Sequence, residues 1–100
     1  MNNQMMNQLR KMQQEMAKAQ DEIQSTTVEG VAGGSVVKLT MTGDFRVTKI
    51  ALDRSVVDAD DVETLEDLII AAFNDARGKA EEFAAKRMGS VTGGIKIPGL

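Results

Sequence analysis

The chain has 100 residues, the size of a single domain, and a formal net charge of −3. It has neither cysteine nor histidine, which excludes disulfides, thiolate and imidazole metal sites and the usual general bases. No apolar stretch approaches the about 18 residues of a membrane span, and the first residues lack the apolar core of a signal peptide. We therefore expect a soluble cytoplasmic protein without a membrane partner.

The charge is unevenly distributed along the chain. Residues 1–20 have a net charge of +2 and residues 76–100 of +3, whereas residues 21–52 carry −1 and residues 53–75 carry −7. Both ends are therefore basic and the middle is acidic. If the two ends meet in the fold, the protein has a basic pole that suits a polyanionic partner in spite of its net negative charge.

The first predicted element is a helix over residues 3–25. It contains no Gly or Pro, and no β-branched residue before Ile23. Its apolar residues recur at alternating spacings of four and three, a narrow stripe typical of a helix that packs lengthwise on another helix. The stripe consists of Met5, Leu9, Met12, Met16, Ala19 and Ile23. Because the rest of the chain is too small to cover this stripe, it indicates a partner subunit.

The middle of the chain is predicted to form three strands in an antiparallel meander, over residues 27–31, 36–42 and 45–52. Gly33 and Gly34 predict the first turn. Gly43 and Asp44 predict a two-residue hairpin turn with glycine first. The apolar residues of the third run change parity halfway, which a bulge near Thr48 explains unless both faces of that strand are covered.

A second long helix is predicted after a turn, or a single helical turn, at residues 53–57. Asp60 and Glu63 fit a capping box at its start. The helix is expected to run to about Met88, with Gly89 as its natural end. Its apolar face consists of Val62, Leu65, Ile69, Phe73, Ala76, Ala80 and Phe83. Residues 1–89 are thus predicted to form the domain, and residues 90–100, which contain Gly and Pro, a flexible tail.

The element order predicts an α+β fold, α-β-β-β-α, that associates into a homodimer. The two helices would be about 34 and 42 Å long, whereas a seven-residue strand spans about 23 Å. The helices therefore overhang the sheet, and a second copy is the simplest way to bury their apolar stripes. The predicted dimer-interface residues are Met5, Leu9, Met12, Met16, Ile23, Phe73 and Phe83.

The sequence offers no catalytic constellation. The only dense carboxylate cluster comprises Asp58, Asp60, Asp61 and Glu63. It is typical of a helix N-terminus, and the alternative of a divalent metal site is disfavoured because the spacing does not match an EF-hand loop. We therefore predict no catalytic residue, no metal, no cofactor and no small-molecule substrate.

Helical spacing predicts ordinary solvated ion pairs for most of the basic side chains. The expected pairs are Lys11 with Glu15, Lys18 with Glu22, Lys79 with Asp75, Arg77 with Glu81 and Lys86 with Glu82. Three cations lack an acidic neighbour at helical spacing and are better candidates for binding phosphate: Arg10, Arg87 and Lys96. On these residues alone the function stays open.

Three segments carry a more specific pattern. They are VKLTMTG at residues 37–43, LEDLIIAAFNDA at residues 65–76, and Met88-Gly89 followed by Thr92-Gly93-Gly94 and Pro98-Gly99. Together they resemble the YbaB/EbfC family of nucleoid-associated DNA-binding proteins. The resemblance spans essentially the whole chain, although the first helix matches in its Met, Gln and Lys content more than in residue identity.

The resemblance implies a small bacterial protein of the cytoplasm and nucleoid. It implies an intertwined, tweezer-shaped homodimer whose helical arms grip double-stranded DNA, with a role in nucleoid organisation and gene regulation. It places DNA contacts on the first helix and on the C-terminal part of the last helix. The implied contacts are Arg10, Lys11, Lys18, Arg77, Lys79, Lys86 and Arg87, to which we add Lys96 from the tail.

Two other classes of function remain as alternatives. A protein-interaction module would dock a partner through the Met-rich first helix, with DNA binding incidental. An enzyme is the remotest alternative, because its chemistry would have to come from Asp, Glu or Lys alone.

Overall fold

The computed structural model describes residues 3–92. Two helices flank three strands and a short 3-10 turn, in the order α1 Asn3–Ser25, β1 Thr27–Ala32, β2 Val37–Thr42, β3 Val47–Leu52, the turn Arg54–Val56, and α2 Val62–Thr92. This order confirms the predicted α+β fold. Residues 1–2 and 93–100, and with them Lys96 and most of the predicted tail, lie outside the described residues.

The three strands form one antiparallel sheet in the order β1-β2-β3. Between β2 and β3 the register shifts by one residue, because Thr40 pairs with Lys49 whereas Met41 pairs with Val47. Thr48 is therefore the extra residue of a bulge, which confirms the prediction made from the change of parity. The alternative, that both faces of this strand are covered, is wrong for the single chain, since all six residues of β3 are exposed.

The hairpin between β2 and β3 differs from its prediction. The Phe45 N–H donates to the Thr42 carbonyl at 3.0 Å, and Phe45 rather than Gly43 has a positive φ, of 70°. The turn therefore has three residues, the last of them in the left-handed region. The predicted two-residue turn is wrong because Gly43 has another role: a Cβ there would lie 2.5 Å from the Ile23 carbonyl oxygen, so glycine permits the end of α1 to approach.

The start of α2 is also displaced from its prediction. Asp61, not Asp60, caps the helix: its carboxylate accepts from the Thr64 N–H at 3.4 Å and from the Thr64 hydroxyl at 2.7 Å. Thr64 occupies the position that the predicted capping box gave to Glu63, so that prediction is wrong. The preceding turn at Arg54–Val56, capped by Asp53, confirms the single helical turn expected at residues 53–57.

The end of α2 lies beyond the predicted stop. The helix passes through Gly89 and continues to Thr92. A glycine inside a helix costs only about 1 kcal/mol. Ser90 offsets part of that cost, since its hydroxyl donates to the Arg87 carbonyl at 2.7 Å and accepts from the Arg87 guanidinium at 2.7 Å. The prediction that Gly89 ends the helix is therefore wrong.

The core lies where α2 crosses the sheet. Its fully buried side chains are Val37, Leu39 and Met41 from β2 and Ala72, Ala76 and Ala80 from α2. The crossing is very close, because a Cβ at Gly30 of β1 would lie 2.1 Å from the Ala72 carbonyl oxygen. A row of small residues on α2 and a glycine on β1 thus bring helix and strand backbones into contact.

The molecule is strongly elongated, with principal extents of 70 × 27 × 16 Å. Its radius of gyration is 19.5 Å, against about 13 Å for a compact chain of this length. The elongation arises because α1 and the end of α2 run past the sheet. We call residues 3–22 of α1 and residues 81–92 of α2 the helical arm, and the sheet with residues 62–80 of α2 the body. Neither helix, as far as residues 3–92 describe them, has an apolar stretch sufficient to span a membrane.

Candidate nucleic-acid interface

The outer half of the helical arm carries positive charge without any acidic residue. Arg10 and Lys11 are exposed on α1, and residues 3–14 contain no Asp or Glu. Lys18 is exposed about two turns further along the helix. Within residues 3–92 none of these three cations forms a salt bridge, so the pairs predicted for Lys11 and Lys18 do not form. Their charges are available to an anion from outside the chain.

The apolar stripe of α1 is largely uncovered by its own chain. The relative solvent exposure is 57% for Met5, 53% for Leu9 and 38% for Met16. Ile23, by contrast, is buried against the chain's own hairpin at Gly43, so it has little surface left for a second copy. The remaining residues predicted for a dimer interface are half-buried: Met12, Phe73 and Phe83.

Two cations of α2 form the ion pairs that helical spacing predicts. Arg77 Nε lies 2.9 Å from a Glu81 carboxylate oxygen, and Lys86 Nζ lies 2.9 Å from one of Glu82. The Arg77 guanidinium also lies 5.3 Å from the centre of the Phe45 ring, within the range of a cation–π contact. These exposed pairs are weak and leave Arg77 and Lys86 accessible to a competing phosphate.

Lys79 is held in the fold by the free edge of β1. Its ammonium donates to the Glu29 carbonyl at 2.8 Å and lies 3.1 Å from the Asp75 carboxylate, which confirms the predicted pair. Asp75 in turn accepts from the Val31 N–H at 2.9 Å. That backbone bond, followed by the bond from Lys79, lowers the pKa of the Asp75 carboxyl. The two side chains cover the backbone groups of an edge strand, which would otherwise be open to another strand.

Arg87 is held in the fold at the base of the helical arm. Its Nε lies 2.5 Å from a Glu22 carboxylate oxygen, and only 19% of its side chain is exposed. This hydrogen bond lowers the pKa of the Glu22 carboxyl and raises that of Arg87. The expectation that Arg87 is free of an acidic partner is therefore wrong. The partner lies 65 residues away in sequence and on the other helix, where helical spacing gives no signal.

The sheet carries two further cations that the sequence-based site omitted. Lys38 and Lys49 are exposed on the side of the sheet that faces away from α2, and within residues 3–92 neither forms a salt bridge. A signal was present in the sequence: Lys38 alternates with the core residues Val37 and Leu39, which places it on the open face.

The carboxylate cluster before α2 has structural roles. Asp58 accepts from the Asp60 N–H at 2.9 Å, and Asp61 caps the helix. Within residues 3–92 no group of three or more acidic side chains is arranged to hold a metal ion. A small α+β domain with a protruding arm of accessible cations is suited to binding a polyanion.

Comparison with known proteins shows which family this chain resembles. Residues 1–95 match the model of the YbaB/EbfC DNA-binding family. The chain is 50% identical over 93 residues to a protein of Dictyoglomus turgidum named nucleoid-associated protein, covering 93% of this chain and 89% of that one. It is 53% identical over 91 residues to a protein of the same name from a Roseiflexus strain, covering 91% and 90%.

A solved structure supports the same fold. The crystal structure of an uncharacterized protein of Helicobacter pylori, HP0035, superposes with a TM-score of 0.73, covering 96% of this chain and 99% of that one at 21% sequence identity. The chain belongs to the YbaB/EbfC DNA-binding family, which confirms the resemblance found in the sequence.

Proposed function

We propose that this protein binds double-stranded DNA on the bacterial nucleoid as a homodimer, and that it contributes there to nucleoid organisation and gene regulation. The observation that carries the proposal is the outer half of the helical arm, where Arg10 and Lys11 project from a stretch, residues 3–14, that contains no Asp or Glu, and form no salt bridge within residues 3–92. The family match and the names of the curated relatives support DNA as the polyanion.

The dimensions of the arm fit the repeat of duplex DNA. The 23 residues of α1 extend over about 34 Å, close to the helical repeat of B-DNA at about 34 to 36 Å. Two such arms in a homodimer would straddle the duplex like tweezers. Lys11 and Lys18 lie seven residues, or two helical turns, apart, so they fall on the same face of α1 and track one strand of phosphates.

The chemistry of these contacts predicts weak sequence preference and strong salt dependence. Contacts of Lys and Arg to phosphate position a protein on DNA but carry no sequence information. The three free cations of α1 would give about six phosphate contacts in a dimer, for which affinity falls about a thousandfold between 50 and 200 mM salt. The net charge of −3 per chain opposes binding and keeps it modest in strength.

The experiment that tests this proposal removes the free charges of the arm. In the double variant Arg10→Gln, Lys11→Gln, four charges leave each dimer, so the slope of log affinity against log salt should fall in magnitude by about 3 to 4. A mobility-shift titration on random-sequence duplex across salt concentrations measures that slope. The matched control is Lys38→Gln, Lys49→Gln, which removes as many exposed cations from the body and should leave the slope within about 1 of wild type. Equal slopes for both double variants, or a wild type insensitive to salt, would refute the arm as the DNA contact.

The exposed stripe of the arm favours a second candidate function. Met5 and Leu9 are apolar and exposed, as they would be in a module that docks a partner protein. In that case the double variant of Arg10 and Lys11 would still retard DNA to the same extent as wild type. Loss of retardation with an unchanged dimer mass favours DNA binding.

A further inference from the structure

The apolar stripe of α1 is covered along its inner part and open along its outer part. Ala19 is fully buried, close to the point where Glu22 of α1 meets Arg87 of α2. Further out, exposure rises from Met16 to Leu9 and Met5. We call Met5, Leu9, Met12 and Met16 the outer stripe. The part of the chain described by residues 3–92 thus leaves a line of large apolar side chains in water beyond the last contact with α2.

The outer stripe begins where the described part of α2 ends. The two helices of the arm are antiparallel, since α1 leads into the sheet and α2 leads away from it. Glu22 and Arg87 lie at the same level, so Thr92 lies about level with Ala17, because both helices rise by about 1.5 Å per residue. The chain therefore continues into residues 93–100 from a point beside the inner end of the outer stripe.

The sequence of residues 93–100, GGIKIPGL, contains three large apolar residues and no acidic one. An extended chain advances about 3.3 Å per residue, so Ile95 and Ile97 can be about 7 Å apart and Ile95 and Leu100 about 16 Å apart. On α1, at about 1.5 Å per residue, Met16 and Met12 are about 6 Å apart along the axis, and Met16 and Met5 about 16 Å. The two sets of apolar spacings match.

We infer that residues 95–100 lie along the outer stripe of α1 in the same chain, in the direction that leads away from the sheet. Covalent attachment favours this occupant over a second copy or another protein, because a short linker gives an effective concentration of about millimolar. The inference rests on the proposed function only for its effect on DNA. The facing pairs are Ile95 with Met16, Ile97 with Met12, and Leu100 with Met5.

This arrangement adds positive charge to the arm while it covers the apolar surface. Successive side chains of an extended chain alternate in direction, so Lys96 points away from the stripe that Ile95 and Ile97 contact. It comes level with the part of α1 between Lys11 and Lys18, which form no salt bridge within residues 3–92. The segment carries no carboxylate side chain to neutralise them, so Lys96 extends their row of phosphate contacts.

Pairs of introduced cysteines test the contact without background, because the chain has no cysteine of its own. In Met12→Cys, Ile97→Cys the two thiols face each other, and a mild oxidant should join them within one chain. In the matched control, Gln14→Cys, Ile97→Cys, the first thiol lies two residues further along α1 and on the opposite side of the helix. We expect the first pair to form its disulfide on the order of tenfold faster than the control, since a disulfide needs adjacent Cβ atoms.

Non-reducing electrophoresis with alkylation of the remaining thiols measures both rates, and circular dichroism checks that both variants keep their helices. The product should run at the single chain mass of 10.8 kDa. Equal rates for the two pairs, or free thiols in both, would overturn the inference. A product at twice the chain mass overturns it as well, because the segment then lies on a second copy.

Salt titrations of DNA binding test the consequence for Lys96. Lys96→Gln removes two charges from each dimer, so the slope of log affinity against log salt should fall in magnitude by about 2. Ile95→Ser, Ile97→Ser keeps the charge but removes the apolar contacts, and it should lower the slope by a similar amount. If only Lys96→Gln lowers the slope, Lys96 contacts DNA without the stripe and the inference is wrong. An unchanged slope for Lys96→Gln overturns the added phosphate contact.

The disulfide separates this inference from the proposed function, because it forms without DNA. If Met12→Cys, Ile97→Cys forms its intrachain disulfide as expected but the wild-type protein does not retard DNA, the segment lies on the outer stripe and the proposed function falls. If DNA binding follows the proposed function but the two cysteine pairs react alike, the proposed function stands and the inference is wrong.

Discussion

The body and the helical arm use their positive charges differently. In the body, Lys79 is bound to the Glu29 carbonyl and to Asp75, and at the base of the arm Arg87 is bound to Glu22. In the outer arm, Arg10 and Lys11 are bound to nothing within residues 3–92. The inner cations hold strands and helices in place, and the outer cations remain available to phosphate. The number of basic residues on a helix is therefore a poor measure of what that helix offers to DNA.

The largest expected effect is a loss of stability on substituting Gly30, in the body of the molecule. Gly30→Ala would force a Cβ to within 2.1 Å of the Ala72 carbonyl oxygen, so helix and strand must separate. We expect a loss of about 3 kcal/mol or more in the free energy of unfolding, measured by urea denaturation. Gly78→Ala is the matched control: no atom lies within 4 Å of its Cβ position, and the helix should gain about 0.5 to 1 kcal/mol. A Gly30→Ala variant as stable as wild type would contradict the close crossing of α2 and β1.

The next largest effect concerns the ion pair at the base of the arm. Arg87→Glu places two carboxylates together, so the helices of the arm should splay and DNA affinity should fall by an order of magnitude. Combining it with Glu22→Arg exchanges the two charges and restores the pair. If Arg87 positions the arm without contacting DNA, the exchanged variant should recover affinity to within about threefold of wild type. Failure to recover, with normal helix content, would show that Arg87 itself contacts phosphate.

The ion pair also shows where sequence reasoning reaches its limit. The spacing of apolar residues predicted the bounds of α1. The change of parity of the apolar residues in β3 predicted the bulge at Thr48. Both patterns are local in the sequence. The partner of Arg87 and the role of Gly43 could not be found in this way. Each depends on a contact between segments far apart in the chain, and only the crossing of α1 with α2 and with the hairpin creates it. Lys79 adds a third case, since one of its partners is a backbone carbonyl, which leaves no mark in a sequence.

The smallest expected effect is on the pH dependence of stability, to which Glu22 in the arm and Asp75 in the body both contribute. Hydrogen bonds from Arg87 and from the Val31 N–H lower the pKa values of Glu22 and Asp75 below their ordinary values of 4.5 and 3.8. At acid pH the unfolded chain therefore binds more protons than the folded one. The stability that these groups contribute is present above the ordinary pKa values and is lost as the pH falls through the lowered ones.

Thermal denaturation in steps below about pH 4.5 measures this loss, and a variant of Glu22 isolates the part that comes from the arm. Glu22→Gln should flatten the decline in melting temperature of wild type, because one of the responsible carboxylates is gone. Glu66→Gln is the matched control on the surface of the body, where the side chain is exposed and forms no salt bridge within residues 3–92. It should follow the wild-type curve. If Glu22→Gln and Glu66→Gln change the curve equally, the pair of Glu22 with Arg87 does not persist in solution.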